Sequence, residues 1–410
     1  TLPVAALALP LLAVVAMLVR ATGSRTGVDR TGRPRLLFGP TPILSFTYLS
    51  RAMRAAGYEA LTLVDDRYHI HAKDDFDRDR DGFFGGRAPA GPLRWLDRLF
   101  GDYLVFGWIL VRFDIVHTFF DGAFLHRTPL RFWEAQLLHL AGRRLIVMPY
   151  GSDVAVPSLI RSLEWRNGLM QNYPAIGRSE PQTLRQLEYF SRYADYVVAC
   201  LVHLETMPRW DLLTIHYYPI DTEQWTSPAG ASDRDGRNGP VSIVHAPNHR
   251  ALKGTDALVR ACDVLRQEGL QVDLRLLEGI PNTAVRAAMA EADILAEQFI
   301  LGYGLTAMEG MSLGKPVLSN LTEPAYYDLF RARTRFSGCP IISTDPAGLV
   351  DTLRGLVTDP AARARIGEAG RAWVAQEHSY AAMAALWEAI YRRVWWSEPV
   401  EPADLLAPSR

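Results

Sequence analysis

Short apolar runs alternate with longer amphipathic segments along this chain, and this alternation is the feature that most constrains its fold. The first unit has an apolar run at Leu36–Phe38, a Gly-Pro turn at 39–42, a helical pattern that ends at Gly57, and a second apolar run at Ala60–Val64. A strand, glycine loop, helix and strand in this order begin a parallel α/β sheet. The same alternation restarts at Val241–His245, so the sequence predicts two doubly wound, Rossmann-like α/β domains.

The two series are separated by the polar, glycine- and proline-rich segment SPAGASDRDGRNGP at 227–240. This composition is typical of a linker. Two doubly wound domains joined in this way face each other across a cleft, and ligands of such sheets bind at the carboxyl ends of the strands. The predicted boundaries are an N-terminal domain at 34–218, an interdomain linker at 219–240, a C-terminal domain at 241–378, a C-terminal helix at 379–396 and a loose tail at 397–410.

The first residues of the chain are strongly apolar. Residues 2–19 carry no charge, and as a helix they would extend about 27 Å, close to the roughly 30 Å of a bilayer core. Arg20, Arg25 and Arg30 follow, and such arginines stay on the cytoplasmic side. We expect a transmembrane anchor at 1–19 and a linker at 20–33, with the domains in the cytoplasm. A cleaved signal peptide, which would need a basic start, and a buried soluble helix are the alternatives.

The overall charge and the cysteines exclude several functional classes. The chain has 44 basic and 45 acidic residues, so we expect no nucleic-acid partner. Three scattered cysteines fit a reducing compartment and predict neither a disulfide framework nor a metal knuckle. The Asp-x-Asp patterns lie in charged loops, so we interpret them as solvated and expect no metal site. They are Asp77, Asp79 and Asp81, and Asp233 and Asp235.

The richest stretch in chemistry is EQFILGYGLTAMEGMSLGKPVLS at 297–319. Gly302, Tyr303 and Gly304 form a loop directly before a helical pattern that starts at Leu305. Free amides and the helix dipole favour a phosphate at such a helix start. Glu309 lies one turn further on the same face, where a carboxylate suits ribose hydroxyls. An ordinary glycine turn followed by a solvent-exposed Glu is the alternative.

A second stretch, VSIVHAPNHRALKGTD at 241–256, places cations just after a buried strand. Cations at the carboxyl end of a strand are good diphosphate ligands. The chain has only three lysines, and two of them, Lys253 and Lys315, flank glycines in these two stretches. We expect Lys253 to bind a ligand and Lys315, which precedes a strand proline, to be structural.

HRALKGTDAL together with YGLTAMEGMSLGKPVLS resembles the donor half of GT-B-fold glycosyltransferases of the large family-4 type. PIDTEQW resembles their interdomain segment, and the loop PYGSD at 149–153 resembles an acceptor-domain loop that usually reads His-Gly-Ser-Asp. The resemblance extends over residues 34–396. It implies an acceptor-binding N-terminal domain and a nucleotide-sugar-binding C-terminal domain, without a metal or another cofactor and mostly with retention of configuration.

The resemblance also implies residue roles. Lys253, with Arg250 nearby, would hold the donor diphosphate, and Glu309 would bind the ribose. The first acid of the family's Glu-x7-Glu pattern falls on Leu301, so Glu297 is a candidate substitute. The usual arginine falls on Asn248, for which Arg250 would substitute. The predicted donor-binding residues are Arg250, Lys253, Glu297, Gly302, Tyr303, Gly304, Leu305, Thr306 and Glu309.

On the acceptor side, polar residues follow strand ends that we expect to face the cleft. His117 and Asp153 are the candidates for catalysis, because a base or an acceptor ligand is needed there. Asp121 and Thr41, the latter in the first Gly-Pro loop, are candidate acceptor ligands. Tyr150 stands where the family often has its acceptor-domain histidine.

These observations predict a membrane-tethered, cytoplasm-facing glycosyltransferase. Its partners would be a nucleotide-diphosphate sugar and a glycan, glycolipid or lipid-linked acceptor for a cell-surface polysaccharide. The alternatives are an inactive GT-B scaffold, suggested by Leu301 and Tyr150, and another GT-B enzyme such as a phosphorylase or a nucleotide-sugar epimerase. A Rossmann dehydrogenase is disfavoured because no Gly-x-Gly-x-x-Gly follows the first strand.

Overall fold

The computed structural model describes residues 2–22, 32–80, 92–227, 232–300 and 302–407, except for the side chains at 92–96 and 202. Within these residues the chain forms two parallel sheets, one of seven strands and one of five, with helices packed around them. This is the α/β architecture that the alternating pattern predicts.

The N-terminal sheet has the order β3-β2-β1-β4-β5-β6-β7. Its strands are β1 (Leu36–Phe38), β2 (Ala60–Val64), β3 (Arg78–Asp79), β4 (Ile115–Thr118), β5 (Arg144–Val147), β6 (Tyr196–Cys200) and β7 (Leu212–Thr214). The strand order changes direction between β1 and β4, where Phe38 pairs with His117. Such a switch point opens a crevice between the loops that follow the two strands, and these loops carry Thr41 and Asp121.

Six helices of the described residues belong to this half. They are α1 (Leu2–Ala21), α2 (Leu44–Ala55), α3 (Pro92–Arg112), α4 (Glu134–Leu140), α5 (Leu163–Asn172) and α6 (Ile176–Tyr193). In α2, Phe46, Leu49 and Met53 recur at helical spacing and are buried. The Ser162 side chain caps α5 by accepting a hydrogen bond from the Trp165 amide.

The C-terminal sheet has the order β12-β11-β10-β8-β9. Its strands are β8 (Val241–His245), β9 (Val272–Leu276), β10 (Ile294–Gln298), β11 (Val317–Ser319) and β12 (Ile342–Ser343). The helices are α7 (Arg250–Lys253), α8 (Thr255–Gln267), α9 (Asn282–Glu291), α10 (Leu305–Ser312), α11 (Pro324–Arg333), α12 (Leu349–Thr358), α13 (Pro360–Glu377) and α14 (Tyr380–Val394). The switch point lies between β8 and β10, whose following loops contain Lys253 and Gly302–Gly304.

The last helix returns to the first domain. In α14, Tyr391 hydrogen-bonds through its hydroxyl to His117 Nε2 at 3.1 Å. Glu388 accepts a hydrogen bond from the Tyr58 hydroxyl at 3.2 Å, and the Val394 carbonyl accepts one from Arg144. The two domains are therefore connected both by the segment before β8 and by α14.

The structure differs from the sequence prediction in its shortest elements. The acidic run that we interpret as a solvated loop contains β3, and Asp77 there accepts a hydrogen bond from the Thr62 amide at 2.8 Å. Asp81 lies outside the described residues, as do 23–31 of the predicted linker. The prediction of a loose tail is wrong for 398–407, since a 3-10 turn at Pro402–Leu406 packs against α14 and buries Pro402.

The apolar N-terminal segment is helical, as the sequence predicts. Within the described residues, α1 is the one helix long and apolar enough to cross a membrane by length and composition. One of its faces packs against α3 and α4.

Candidate active site

An ion pair between Lys253 and Glu297 lies at the switch point of the C-terminal sheet. The Lys253 ammonium contacts Glu297 Oε1. The other carboxylate oxygen, Oε2, accepts hydrogen bonds from the Gly304 amide at 3.3 Å and from the Ser319 hydroxyl at 3.2 Å. One carboxylate thus joins the cation that follows β8 to Gly304, the residue directly before α10, so the two predicted phosphate-binding elements are adjacent.

The chain reaches this arrangement through a tight turn after α7. Gly254 caps α7 with a left-handed φ of 70°, and a Cβ there would lie 3.0 Å from Phe299 Cβ. Only glycine fits such a conformation at so close an approach. The Phe299 amide donates to the Lys253 carbonyl at 3.0 Å, which fixes Lys253 beside the end of β10.

Asn320 holds the loop that precedes α10. Its side-chain amide donates to the carbonyls of Phe299 at 2.9 Å and Ile300 at 3.1 Å. The backbone carbonyl of Asn320 accepts a hydrogen bond from the Gly302 amide at 2.9 Å. Gly302 has a φ of 73°, which explains the glycine at this turn. Leu301 lies outside the described residues.

The first turn of α10 is partly accessible. Gly304, Leu305 and Thr306 are half-buried, and among the described residues no side chain caps this helix. Uncapped amides at a helix start are available to an anion. This accessibility agrees with the expectation of a phosphate site.

Tyr303 is placed differently from its neighbours. Its ring is 3% exposed and packs edge-on against His216, with ring centroids 4.5 Å apart, and parallel to Phe336. The prediction that Tyr303 belongs to the donor-binding loop therefore concerns its backbone, since its aromatic ring packs in the core. The backbone of Tyr303 remains part of the loop between β10 and α10.

Glu309 points toward the other domain. Its Oε1 accepts a hydrogen bond from the Tyr48 hydroxyl of α2 at 2.9 Å, and the carboxyl is 8% exposed. Burial raises the pKa of Glu309 to about 8, while the Tyr48 hydrogen bond and the charge of Arg286 act in the opposite direction. In this structure Glu309, the residue predicted to bind the ribose, is hydrogen-bonded to the other domain.

Arg250 lies on the surface beside Lys253. Its guanidinium pairs with Glu278 at 2.9 Å and Asp256 at 3.1 Å, and these hydrogen bonds raise its pKa. The structure does not bring Arg250 to the Lys253–Glu297 pair. Lys315, predicted to be structural, is 6% exposed, and burial lowers its pKa.

The acceptor-side candidates meet at the other switch point. The Thr41 hydroxyl lies 2.9 and 3.0 Å from the two carboxylate oxygens of Asp121, and the Tyr150 hydroxyl donates to Oδ2 at 3.3 Å. Burial raises the pKa of Asp121 to about 6, although hydrogen bonds from Thr41 and Tyr150 lower it. A half-buried carboxylate of this kind can accept a hydroxyl proton near neutral pH.

Asp153 has a different environment from Asp121. It accepts hydrogen bonds from the amides of Phe120 at 3.1 Å, Tyr150 at 3.0 Å and Gly151 at 2.8 Å. Burial and the nearby Asp121 charge raise its pKa to about 8. Both carboxylate oxygens are therefore used to hold the loops after β4 and β5 together.

The expectation that His117 faces the cleft is a further correction. His117 is fully buried, stacks on Phe38 with centroids 4.2 Å apart, and hydrogen-bonds the Leu37 carbonyl and the Tyr391 hydroxyl. Burial lowers its pKa to about 3. The sequence could not show this, because α14, which encloses the imidazole, lies more than 250 residues further along the chain.

The two domains also touch beside Lys253. The Leu252 amide donates to Asn172 Oδ1 at 3.0 Å, and the Tyr173 hydroxyl lies 2.5 Å from His249 Nε2. Gly168 permits this contact, since a Cβ there would lie 3.1 Å from the Ala251 carbonyl oxygen. Sequence reasoning missed these contacts and Tyr48, because nothing in their local patterns distinguishes them from ordinary helix residues.

Three solved structures share this architecture and are distant in sequence. HepE from Anabaena, solved with UDP-glucose, aligns with a TM-score of 0.52 at 15% identity, over 86% of this chain and 98% of its own. A glycosyltransferase from Rickettsia africae gives 0.51 at 12%, over 88% and 98%. A mutant O-GlcNAc transferase from Thermobaculum terrenum gives 0.50 at 18%, over 92% and 70%. These likenesses establish the GT-B fold.

The family evidence lies in the C-terminal half. Residues 274–389 match the model of the family described as glycosyl transferase-like. This chain has the GT-B fold, and its residues 274–389 resemble a glycosyl transferase domain. The match begins within β9 and ends within α14, so it includes Glu297 and all of α10. A search of curated proteins found no match.

The predicted fold class is thus confirmed, and the family match agrees with the predicted resemblance to glycosyltransferases. The roles of the individual site residues stay predictions.

Proposed function

We propose that this protein transfers a sugar from a nucleotide-diphosphate donor to an acceptor bound by the N-terminal domain. The observation that carries the proposal is the convergence of Lys253, Glu297 and the Gly304 amide at the switch point of the C-terminal sheet. Ligands of doubly wound sheets bind at such points. The cation and the helix start together suit a diphosphate, which is the leaving group of a nucleotide sugar.

The donor diphosphate would replace Glu297 as the partner of Lys253. The ammonium and the amides of Gly304, Leu305 and Thr306 would then stabilise the charge that develops on the leaving phosphate. In this arrangement the chain's own cation and amides stabilise the leaving phosphate. That transfer needs no metal stays a prediction. UDP is the first nucleotide to test, because HepE was solved with UDP-glucose.

Glu297 would then be available to the sugar. It remains hydrogen-bonded to the Ser319 hydroxyl when Lys253 and the Gly304 amide turn to the phosphate. A fixed carboxylate beside the diphosphate suits neutral hydroxyls, which donate hydrogen bonds to it. We therefore assign Glu297 to donor sugar hydroxyls, in place of the acid that Leu301 replaces in the family pattern.

On the acceptor side, Asp121 is the residue that we assign to the incoming hydroxyl. Thr41 and Tyr150 donate to its carboxylate and orient it. The acceptor would be a glycan or a lipid-linked sugar of a surface polysaccharide, reached by a protein held at the cytoplasmic side of a membrane by α1. Transfer with retention follows the resemblance to family 4.

The test is a thermal-shift panel with UDP, GDP, ADP, TDP and CMP on wild type, Lys253→Ala and Lys73→Ala. Lys73 is an exposed lysine of the N-terminal domain and serves as the matched control. A ligand at 100 times its Kd adds about 2.7 kcal/mol of stability, which corresponds to several degrees. We expect one nucleoside diphosphate to shift wild type and Lys73→Ala but not Lys253→Ala.

A shift that persists in Lys253→Ala would contradict this donor site. If no nucleotide shifts any variant, the scaffold alternative is favoured. Where a nucleotide binds, incubation of the corresponding nucleotide sugar with membrane lipid extract distinguishes the reactions. A glycosylated lipid supports transfer, and an isomeric nucleotide sugar indicates an epimerase. In a separate incubation of a glycan with inorganic phosphate, release of a sugar 1-phosphate indicates a phosphorylase.

A further inference from the structure

We propose that α1 attaches the protein to a lipid bilayer by lying in the plane of its surface, clamped to the N-terminal domain, and does not cross the membrane. This inference rests on the membrane attachment in the proposed function and specifies its geometry. The evidence is that α1 has two apolar faces and that the domain occupies one of them.

The occupied face consists of small and aliphatic residues at helical spacing. They are Ala5, Ala8, Leu12, Ala16 and Val19, all of which are buried against the domain. Leu12 packs at Gly107 of α3, where a Cβ would lie 3.7 Å from Leu12 Cδ2. Small residues allow two helices to approach closely. Arg20 continues the contact by donating to the His139 carbonyl of α4 at 3.3 Å.

The opposite face is exposed and equally apolar. Leu7 is 63% exposed and Leu11 is 67% exposed, and Leu2, Val14, Met17 and Leu18 are also open. A soluble monomer rarely exposes a contiguous apolar patch of this kind. The mean hydropathy of this helix is 2.6, and it has no charged residue before Arg20.

Helix α3 extends the same patch. Successive residues of a helix are about 100° apart, so Leu104 and Val111 lie about 60° and 40° around α3 from Gly107. Both offsets have the same sign, so the two residues lie together on one side of the line where α1 meets α3, and they are 58% and 47% exposed. The exposed apolar surface thus includes both helices, which would not be expected if α1 were a separate spanning anchor.

A bilayer fits this surface better than a second protein. Protein interfaces carry about one hydrogen bond per 100–200 Å² and a polar rim, yet the side chains of residues 2–19 include no polar group. Arg20 is exposed at the end of the helix, and the sequence continues with Arg25 and Arg30. Basic residues beside an apolar surface are attracted to anionic lipid.

A spanning helix would have to leave the domain. Its contacts with α3 and α4 would be lost, and Gly107 and its buried neighbours would be uncovered. Lying in the interface keeps these contacts while the exposed face enters the acyl region. The active-site cleft is then held at a fixed position relative to the bilayer, where a lipid-linked acceptor would lie.

The first part of the test measures vesicle binding of the full chain. Flotation with vesicles of phosphatidylcholine and phosphatidylglycerol is compared with pure phosphatidylcholine. We expect Leu7→Glu/Leu11→Glu to lower the bound fraction at least about tenfold, with stronger wild-type binding to the anionic vesicles. Leu329→Glu, an exposed leucine of α11 in the C-terminal domain, is the matched control and should bind as wild type.

The second part determines the position of α1 on the membrane. In vesicle-bound protein, oxidation of the pair Leu12→Cys/Gly107→Cys should form an intramolecular disulfide. The pair Leu7→Cys/Gly107→Cys places the first thiol on the opposite face and is the control, which should not cross-link. Binding with the first cross-link supports the proposal.

Two results would overturn it. Vesicle binding without the Leu12–Gly107 cross-link would show that α1 leaves the domain to cross the bilayer. A concentration-dependent dimer in solution that Leu7→Glu/Leu11→Glu abolishes, together with no vesicle binding, would assign the surface to a second copy. The nucleotide thermal shift is measured on the same preparations, so a failure of membrane binding is distinguished from a failure of the proposed transferase function.

Discussion

Tyr48 of the first domain donates a buried hydrogen bond to Glu309 of the second, from Oη to Oε1 at 2.9 Å. Glu309 belongs to the helix whose start is the candidate phosphate site, whereas Tyr48 belongs to the helix that follows β1. Burial raises the pKa of Glu309 to about 8, so the carboxyl is protonated at neutral pH in this arrangement. If Glu309 binds the donor as proposed, this hydrogen bond links donor binding to the relative position of the domains.

The raised pKa of Glu309 predicts a pH dependence of stability. The unfolded carboxyl has a pKa of about 4.3, so between that value and about 8 the folded state binds the extra proton. This contribution is fully present below the unfolded pKa and is lost as pH rises through the folded pKa. The free energy of unfolding, measured by urea denaturation, should fall between pH 5 and pH 9. We expect this fall to be smaller in Glu309→Gln than in wild type.

The matched control for this experiment is Glu188→Gln, an exposed glutamate of α6. It should follow the wild-type dependence. Asp153 also has a pKa raised to about 8 and contributes a slope of the same sign, so part of the dependence should remain in Glu309→Gln. Identical slopes in wild type and Glu309→Gln would contradict the assignment.

Substitutions of Tyr48 and of Glu309 should have opposite effects on nucleotide affinity. If Glu309 binds the ribose, Tyr48 competes with the ligand for it. Tyr48→Phe should then strengthen binding by up to about tenfold, since a hydrogen bond contributes about 0.5–1.5 kcal/mol. Glu309→Ala should weaken it. Titration calorimetry with the nucleotide identified by thermal shift measures both, and unchanged affinity in Glu309→Ala would leave Glu309 only a domain contact.

The two glycine turns of the candidate donor site could be predicted from sequence because their geometry is local. Lys253 and Gly254 form one turn, and Gly302 and Gly304 another, so residue type and spacing were sufficient to indicate both. Their convergence follows from the switch point of a parallel sheet. What the sequence did not show is the contact between them through Glu297, which depends on the register of β10.

The errors arise where distant elements decide the environment. His117 ends a strand and resembles a cleft residue, but α14 covers it. Tyr303 follows a glycine in a candidate loop, yet its ring completes an aromatic cluster with Phe336. Tyr48 lies in an amphipathic helix and acquires its role only when α10 approaches. Local patterns do not contain this information.

Asp153 predicts a stability effect. Asp153→Ala removes the acceptor of three amides, those of Phe120, Tyr150 and Gly151. An unsatisfied buried amide costs about 1–3 kcal/mol, so the variant should lose several kcal/mol of unfolding free energy by urea denaturation. Asp153→Asn retains a carbonyl acceptor and should lose less. Equal stability of Asp153→Ala and wild type would return Asp153 to the catalytic candidates.

Close packing between α13 and the turn after α10 predicts that adding a side chain at Gly367 lowers the stability of the protein. A Cβ on Gly367 of α13 would lie 2.0 Å from the backbone oxygen of Gly314, at the turn that follows α10. Gly367→Ala should therefore force the helices apart and lower the melting temperature. Gly355 of α12 has open space around it, so Gly355→Ala should be neutral or stabilising by up to about 1 kcal/mol. Similar melting temperatures for the two variants would contradict this packing.

The most direct test of the acceptor side is Asp121→Asn. The amide keeps an oxygen that Thr41 and Tyr150 can reach, but it cannot take a proton from an acceptor hydroxyl. A positioned base contributes about 10²–10⁴-fold, so turnover should fall by a factor in this range. The nucleotide thermal shift, which depends on the other domain, should stay unchanged.

Wild-type activity should rise with pH through about 6, where Asp121 ionises, and this rise should be absent in Asp121→Asn. Asp66→Asn, at an exposed aspartate of the same domain, is the control. Wild-type turnover in Asp121→Asn would exclude Asp121 as the base and leave proton removal to the donor phosphate.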